Sequence, residues 1–219
     1  MNAPVNHEHP ASAHVLNIAA VSARTHALGP GTRAVVWVQG CPLRCPGCLA
    51  PAWIPFVPAT HRTPQQILEE LNLDGITGMT FSGGEPMEQA AGLAALARLA
   101  RQKKDIDLIC FTGYRHERLL KSPPNPGVRE LLAEVDVLID GPFIQTLNEP
   151  VGLRGSSNQR VIHLTSRLKE YDLEGSTRTV ELTVTDGELA FVGIPTPGIL
   201  SAMQRANVDM ERMEQDERL

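Results

Sequence analysis

Gly40-Cys41-Pro42-Leu43-Arg44-Cys45-Pro46-Gly47-Cys48 is the most informative stretch of this chain. It places three cysteines in one loop, with three residues between the first pair and two between the second. Disulfides inside so short a loop would close very tight rings, and a metal or cluster is the better use of these thiols. Iron–sulfur clusters are held by Cys thiolates and usually take four. With three, one iron stays open for a substrate or cosubstrate. Gly and Pro between the cysteines suit a loop that wraps a cluster. A structural zinc is the competing reading, but zinc wants four closed ligands, commonly as paired Cys-x2-Cys units. No second cysteine pair exists, and nothing in the spacing of His61 recommends it as a fourth ligand. Cys110, the fourth cysteine, lies in the apolar run Leu108-Ile109-Cys110-Phe111 and reads as a small core residue.

Outward from this loop, short apolar runs alternate with helical patterns. Val15–Val21 and Ala34–Gln39 precede or enter the loop, and Gly78–Ser82, Asp107–Thr112, Val135–Ile139 and Arg160–Leu164 follow it. Such runs read as strands buried on both faces. Between them, Thr63-Pro64 opens a helix to about Leu73, with Thr63 as N-cap. Met87–Gln102, Tyr114–Leu120 and Val128–Ala133 read as further helices. The alternation predicts an α/β fold with a mainly parallel sheet. After Leu164 the pattern changes. Thr179–Thr185, the turn dipeptide Asp186-Gly187 and Glu188–Ile194 predict a β-hairpin, and Ile199–Glu214 a terminal helix. The alternation puts Val180, Leu182 and Val184 on the hairpin face expected to pack. The expected organisation is therefore a disordered tail over 1–13, a catalytic core over 14–165 and an extension over 166–219. The His and Pro residues of the tail, His7 and His9 included, read as solvated.

Two more motifs fall at strand ends. In Ser82-Gly83-Gly84-Glu85-Pro86 the glycines permit close approach of a ligand to the backbone, and Glu85 offers a carboxylate to an ammonium group. An ordinary strand–helix turn is the plainer reading. In Asp140-Gly141-Pro142-Phe143, Asp140 is a candidate for holding a hydroxyl or ammonium group, or simply caps a turn. Ligands of parallel α/β sheets bind beyond the C-terminal strand ends, so the motifs converge on one mouth. Arg154-Gly155-Ser156-Ser157-Asn158-Gln159-Arg160 is a dense polar loop, read most simply as solvated.

Bulk composition narrows the field. The chain has 219 residues, 42% hydrophobic but only 4% aromatic, so Ala, Leu, Ile and Val must build the core. Its formal charge of −5 gives no electrostatic reason to expect nucleic-acid binding. No apolar run approaches the roughly 18 residues that span a bilayer, and Met1–Ala13 lacks the apolar segment of a secretory signal. A cytoplasmic location without membrane contact is expected.

With these motifs in order, the chain resembles the radical-SAM superfamily, and within it the glycyl-radical-enzyme activases, in particular the activating enzymes of anaerobic ribonucleotide reductase. The resemblance covers roughly 29–164 and adds Gly29-Pro30-Gly31-Thr32-Arg33 and Thr112-Gly113-Tyr114 to the motifs above. It implies a partial (β/α) barrel carrying the C-terminal hairpin and helix as an addition. It implies that Cys41, Cys45 and Cys48 ligate one [4Fe–4S] cluster and that S-adenosylmethionine (SAM) chelates the fourth iron. Gly83, Gly84 and Glu85 would contact its methionine portion, and Gly47 and Leu49 would border adenine; Ser82 and Asp140 join the candidate cofactor-binding residues through their place at the strand ends. Reductive cleavage of SAM would give methionine and a 5′-deoxyadenosyl radical, which takes hydrogen from a glycine of a partner enzyme. An electron donor such as flavodoxin or ferredoxin is implied as well. There are departures. Leu49 stands where an aromatic often follows the last cysteine, with Trp53 or Phe56 nearby. Pro142 stands where Lys is frequent, and the tail after about 166 has no counterpart in the short activases. A radical-SAM enzyme acting on a small molecule or another peptide is the first alternative, and a non-catalytic iron–sulfur electron carrier or redox sensor the second.

Overall fold

The computed structural model describes residues 14–185 and 188–205. The expected tail over 1–13, the Asp186-Gly187 turn and the end of the terminal helix lie outside them. Seven strands form one sheet: β1 (Leu16–Thr25), β2 (Arg33–Val38), β3 (Thr60–Arg62), β4 (Gly78–Gly83), β5 (Asp107–Thr112), β6 (Val137–Asp140) and β7 (Arg160–His163). Their order is β3-β1-β2-β4-β5-β6-β7. The central four, β2, β4, β5 and β6, run parallel.

Both margins are antiparallel, β1 on β2, β3 on β1, and β7 on β6. Chain length between strands explains this. Parallel neighbours need a crossover of a dozen or more residues, usually through a helix. Only residues 26–32 join β1 to β2, and 141–159 return from β6 to β7 without an α-helix. The expected α/β layering with a parallel centre is present, and the sheet, whose closure the sequence left open, is open, with β3 and β7 at its edges.

The helices α1 (Pro64–Leu71), α2 (Ala90–Lys103), α3 (His116–Lys121) and α4 (Val128–Glu134) lie between these strands in sequence. Thr63 caps α1 in a reciprocal box. Its hydroxyl accepts Gln66 N–H at 3.3 Å, and its own N–H donates to Gln66 Oε1 at 2.8 Å. The helix expected from Met87 instead opens with a 3-10 turn over Pro86–Gln89, because the Glu85 side chain caps Met87 N–H at 3.0 Å.

Alternate residues of the central strands feed two cores, as period-2 geometry requires. Val36, Val38, Phe81, Leu108, Cys110 and Leu138 face the helices, packing with Ile67, Leu71, Leu93, Leu96 and Leu131. Cys110 is fully buried there. On the other face, Val35 and Trp37 pack with Leu28 and Ile194, and Ile109, Val137 and Ile139 with Leu168 and Leu173. At the starting ends of the strands, buried Arg33 pairs with Asp107 at 2.6 Å and donates to Thr80 Oγ1 at 2.7 Å and Met79 O at 2.8 Å.

The chain beyond Leu164 covers this second face. Strands β8 (Val180–Thr185) and β9 (Glu188–Gly193) form the expected antiparallel hairpin, and α5 (Pro197–Arg205) follows. The inward face is not the expected one. Leu182 is 56% exposed, whereas Val192 packs against the Trp37 cluster and Glu181 accepts His26 N–H at 2.7 Å. Glu181 also accepts the Thr25 hydroxyl. An acid and a short hydroxyl set the orientation that apolar alternation alone assigned the other way.

Candidate iron–sulfur and cosubstrate site

The cysteine loop starts where β2 ends and is held from behind. Residues 50–55 fold back on it: Gly40 N–H donates to Trp53 O and Cys41 N–H to Ile54 O, each at 2.9 Å. Gln39 Nε2 donates to Ala52 O at 3.2 Å and Pro55 O at 2.7 Å, and Gln89 Nε2 ties Gln39 O at 3.0 Å. Within the loop, Cys48 N–H donates to Cys45 O at 3.1 Å.

The neighbouring strand end fits against this loop at backbone distance. Gly84 N–H donates to Val38 O at 2.7 Å and Glu85 N–H to Gly40 O at 2.9 Å. A Cβ built on Gly84 would stand 2.3 Å from Gly40 O and 2.8 Å from Gly40 C. Both are backbone atoms, so the glycine is demanded by the fit of the two loops. Gly83 has φ +104°, in the region that favours glycine.

Cys41, Cys45 and Cys48 line one cavity of about 510 Å³ together with Leu49, Ser82, Gly83, Gly84 and Glu85. Thr112, Gly113, Gly141 and Phe143 from the next strand ends border it as well. The expected convergence on one mouth is therefore present. Gly47 and Asp140 do not line the cavity. Gly47 packs against Gln145, where its Cβ would meet Oε1 at 2.4 Å. Asp140 is fully buried beneath the rim, its carboxylate taken by His116 N–H at 2.7 Å, Arg115 at 3.3 Å and Arg160 Nε at 2.8 Å. These donors keep its carboxyl below its ordinary pKa even though burial alone pushes the other way. In place of a free ligand group, Asp140 braces β7 and α3 at the strand end.

Glu85 is also buried, and its oxygens serve the chain. Oε1 accepts Met87 N–H at 3.0 Å and the Thr112 hydroxyl at 2.7 Å, while Oε2 accepts Gly113 N–H at 2.9 Å. Burial pushes its carboxyl up to about 7, against those three donors. Burial likewise pushes the Cys41 thiol up to about 11, with the Glu85 charge adding to it.

The donor set fits a cluster with an open corner. The three loop thiols are half-buried, none of the four cysteines forms a disulfide, and Cys110 faces the helix side, away from them. Among the described residues no group of three or more His, Cys, Asp or Glu side chains is drawn together as a single ion requires. On one zinc all ligands share a centre at about 2–2.3 Å. A cluster spreads its cysteines, because each holds a different iron.

Several contributors carry no motif. Trp37 in β2 and Phe111 in β5 line the cavity from the sheet, and Trp53 from the returning segment. The Trp37 and Trp53 rings are 5.7 Å apart and tilted by 41°. Of the two aromatics near the last cysteine, Trp53 faces the cavity, whereas Phe56 is 63% exposed. The polar loop 154–160 is not merely solvated: Ser156 and Gln159 are buried, and Gln159 Nε2 donates to Gly141 O at 2.7 Å. Phe191–Pro195, far along the chain, also border the cavity.

A three-cysteine cluster loop at the C-terminal ends of a parallel sheet, closed by a glycine-rich strand end, defines a single-cluster iron–sulfur protein of the α/β class. Residues 27–162 match the family model described as 4Fe-4S single cluster domain. The anaerobic ribonucleoside-triphosphate reductase-activating protein of Salmonella typhi is 34% identical over 145 residues, covering 62% of this chain and 91% of that protein. Its counterpart in Vibrio cholerae is 37% identical over 148 residues, covering 62% and 89%. That of Enterobacteria phage T4 is 32% identical over 152 residues, covering 66% and 92%. Among solved structures, QueE from Escherichia coli aligns with a TM-score of 0.45 and 12% identity over 61% of this chain and 75% of that one. The chain belongs to the single-cluster 4Fe-4S family and, within it, to the family of these reductase-activating proteins.

Proposed function

We propose that this chain cleaves SAM reductively at a [4Fe–4S] cluster and thereby installs a glycyl radical on a partner enzyme, an anaerobic ribonucleoside-triphosphate reductase. The observation that carries this reading is the meeting of Cys41, Cys45, Cys48 and the Ser82–Glu85 strand end around one cavity, in a chain of the activating-protein family. With SAM bound, the cluster would supply the electron for reductive cleavage of the sulfonium bond, the source of methionine and of a hydrogen-abstracting 5′-deoxyadenosyl radical. The protein supplies placement and exclusion of water. Cys41, Cys45 and Cys48 hold the cluster. Gly83 and Gly84 bring the backbone close to the methionine portion. Glu85 Oε2 has Gly113 N–H as its protein donor, which leaves an acceptor position for the ammonium group. A carrier such as flavodoxin or ferredoxin delivers the electron. An electron carrier alone has no use for a cavity of about 510 Å³ beside its cluster.

The test is anaerobic reconstitution with iron and sulfide, reduction, and addition of SAM with and without the reductase. Methionine and 5′-deoxyadenosine should appear, together with a glycyl-radical EPR doublet on the reductase. Cleavage without that doublet would move the target to a small molecule or another peptide. A reducible cluster without cleavage would leave the carrier reading.

A further inference from the structure

The cavity wall carries two chemically different sets of residues. One is polar, with the cysteine thiols, Glu85, Thr112 and the Gly83-Gly84 backbone, and with Arg24, Arg62, Glu70 and Glu181 as well. The other is apolar: Trp37, Trp53, Leu49, Phe111, Val192 and Ile194 belong to one hydrophobic cluster and all line the cavity. SAM divides the same way, into a charged amino-acid end and a flat aromatic base. Flat rings gain most by stacking on apolar and aromatic surface from which water is excluded. Two of these six residues, Val192 and Ile194, lie some thirty residues beyond the end of the matched family segment at residue 162.

We infer that the C-terminal hairpin supplies part of the adenosyl pocket, through Val192 and Ile194 beside Trp37 and Trp53. This rests on the reading that the cavity holds SAM. The placement is well anchored. Glu181 fastens β8 to Thr25 and to His26 N–H, and Ile194 is buried against Trp37 and Val35. Arg178 donates to Pro195 O at 3.4 Å, which fixes the chain as it leaves the hairpin. The place of Val192 and Ile194 in the cavity wall gives the extension a cosubstrate role.

Both tryptophans of the chain line this cavity, so intrinsic fluorescence reports its occupation directly. In the anaerobically reconstituted full chain, the double variant Val192→Ala/Ile194→Ala should weaken binding of SAM and of S-adenosylhomocysteine by about tenfold. Iron content should not change, and free methionine, which has no base, should bind as before. A second measurement uses the unaltered protein. Photolabelling with an 8-azidoadenine analogue of S-adenosylhomocysteine, followed by peptide mapping, should mark the peptide containing Phe191–Ile194. Unchanged adenosyl affinity in a folded double variant would overturn the inference. Label confined to residues before 165 would overturn it even where the double variant does not fold. If iron-loaded wild type neither binds SAM nor takes the label, the functional reading fails first and the inference falls with it.

Discussion

Glu85 Oε2 accepts the backbone N–H of Gly113 at 2.9 Å, which ties the end of β4 to the end of β5 across the cavity. The acid does this while buried, and its carboxyl is pushed up from an ordinary 4.5 to about 7. A group with a raised folded pKa favours folding fully below its unfolded value, and that gain is lost as pH rises through the folded value. The window is pH 4.5 to 7, and the loss amounts to about 3 kcal/mol. Glu85→Gln imitates the protonated acid and carries no such dependence. Melting temperatures of wild type and variant, compared from pH 4.5 to 8, should diverge across this window. Parallel curves would show that Glu85 does not titrate there.

Cluster retention should separate the cysteines cleanly. Replacing Cys41, Cys45 or Cys48 with Ala should abolish iron binding after reconstitution, read by iron analysis and visible absorbance. Cys110→Ala should keep the cluster, because Cys110 lies fully buried on the helix side of β5. Its cost should be confined to stability, about 1 kcal/mol. Full iron content in any of the three loop variants would remove that cysteine from the ligand set.

Gly84→Ala should act through the cysteine loop before it acts on SAM. The added methyl would stand 2.3 Å from Gly40 O, and Gly40 directly precedes Cys41. Gly40 O is a backbone atom, so the strand end or the loop must shift, at a cost of about 3 kcal/mol. Lower melting temperature and lower iron content are expected together. A stable variant with full iron and only weakened SAM binding would restore Gly84 to a purely ligand-facing role.

The sequence made the strands legible because β2, β4, β5 and β6 are buried on both faces and read as continuous apolar runs. Strand β3, Thr60-His61-Arg62, has no such signal and exists by pairing with β1 at the sheet edge. The cysteines were legible because cluster chemistry needs them close in sequence. Asp140 looked like a ligand group because its partners, Arg115 and Arg160, are 25 and 20 residues away, and spacing does not reveal such pairs. Trp37 was hidden inside an ordinary strand run. Val192 and Ile194 were hidden by the hairpin's orientation, which depends on Glu181 reaching Thr25 and His26.

Arg178 carries the last prediction, because together with Asn148, which donates to Pro195 O at 3.3 Å, it joins its own segment to residues 148–155 and to the chain leaving the hairpin. Its guanidinium donates to Asn148 Oδ1 at 2.6 Å, Gly152 O at 3.2 Å, Gly155 O at 3.4 Å and Pro195 O at 3.4 Å, and also to Arg154 O. All five acceptors are neutral. Burial, and then the charge of Arg154, hold its pKa below the ordinary value. A planar fork with five N–H groups can satisfy such a ring of acceptors, and a Lys ammonium, with three donors at one point, cannot. Arg178→Met should therefore cost roughly 2–4 kcal/mol, and Arg178→Lys should recover only part of it. Since Pro195 lies just past the end of β9 at Gly193, the loss should appear first over 188–205. Hydrogen exchange of the folded variant should show faster opening there, while the helix-side core around Leu93 and Leu131 stays protected. Equal protection of 188–205 in wild type and Arg178→Met would mean that the hairpin is held without Arg178, by its apolar contacts, Glu181 and the Asn148 bond to Pro195 O.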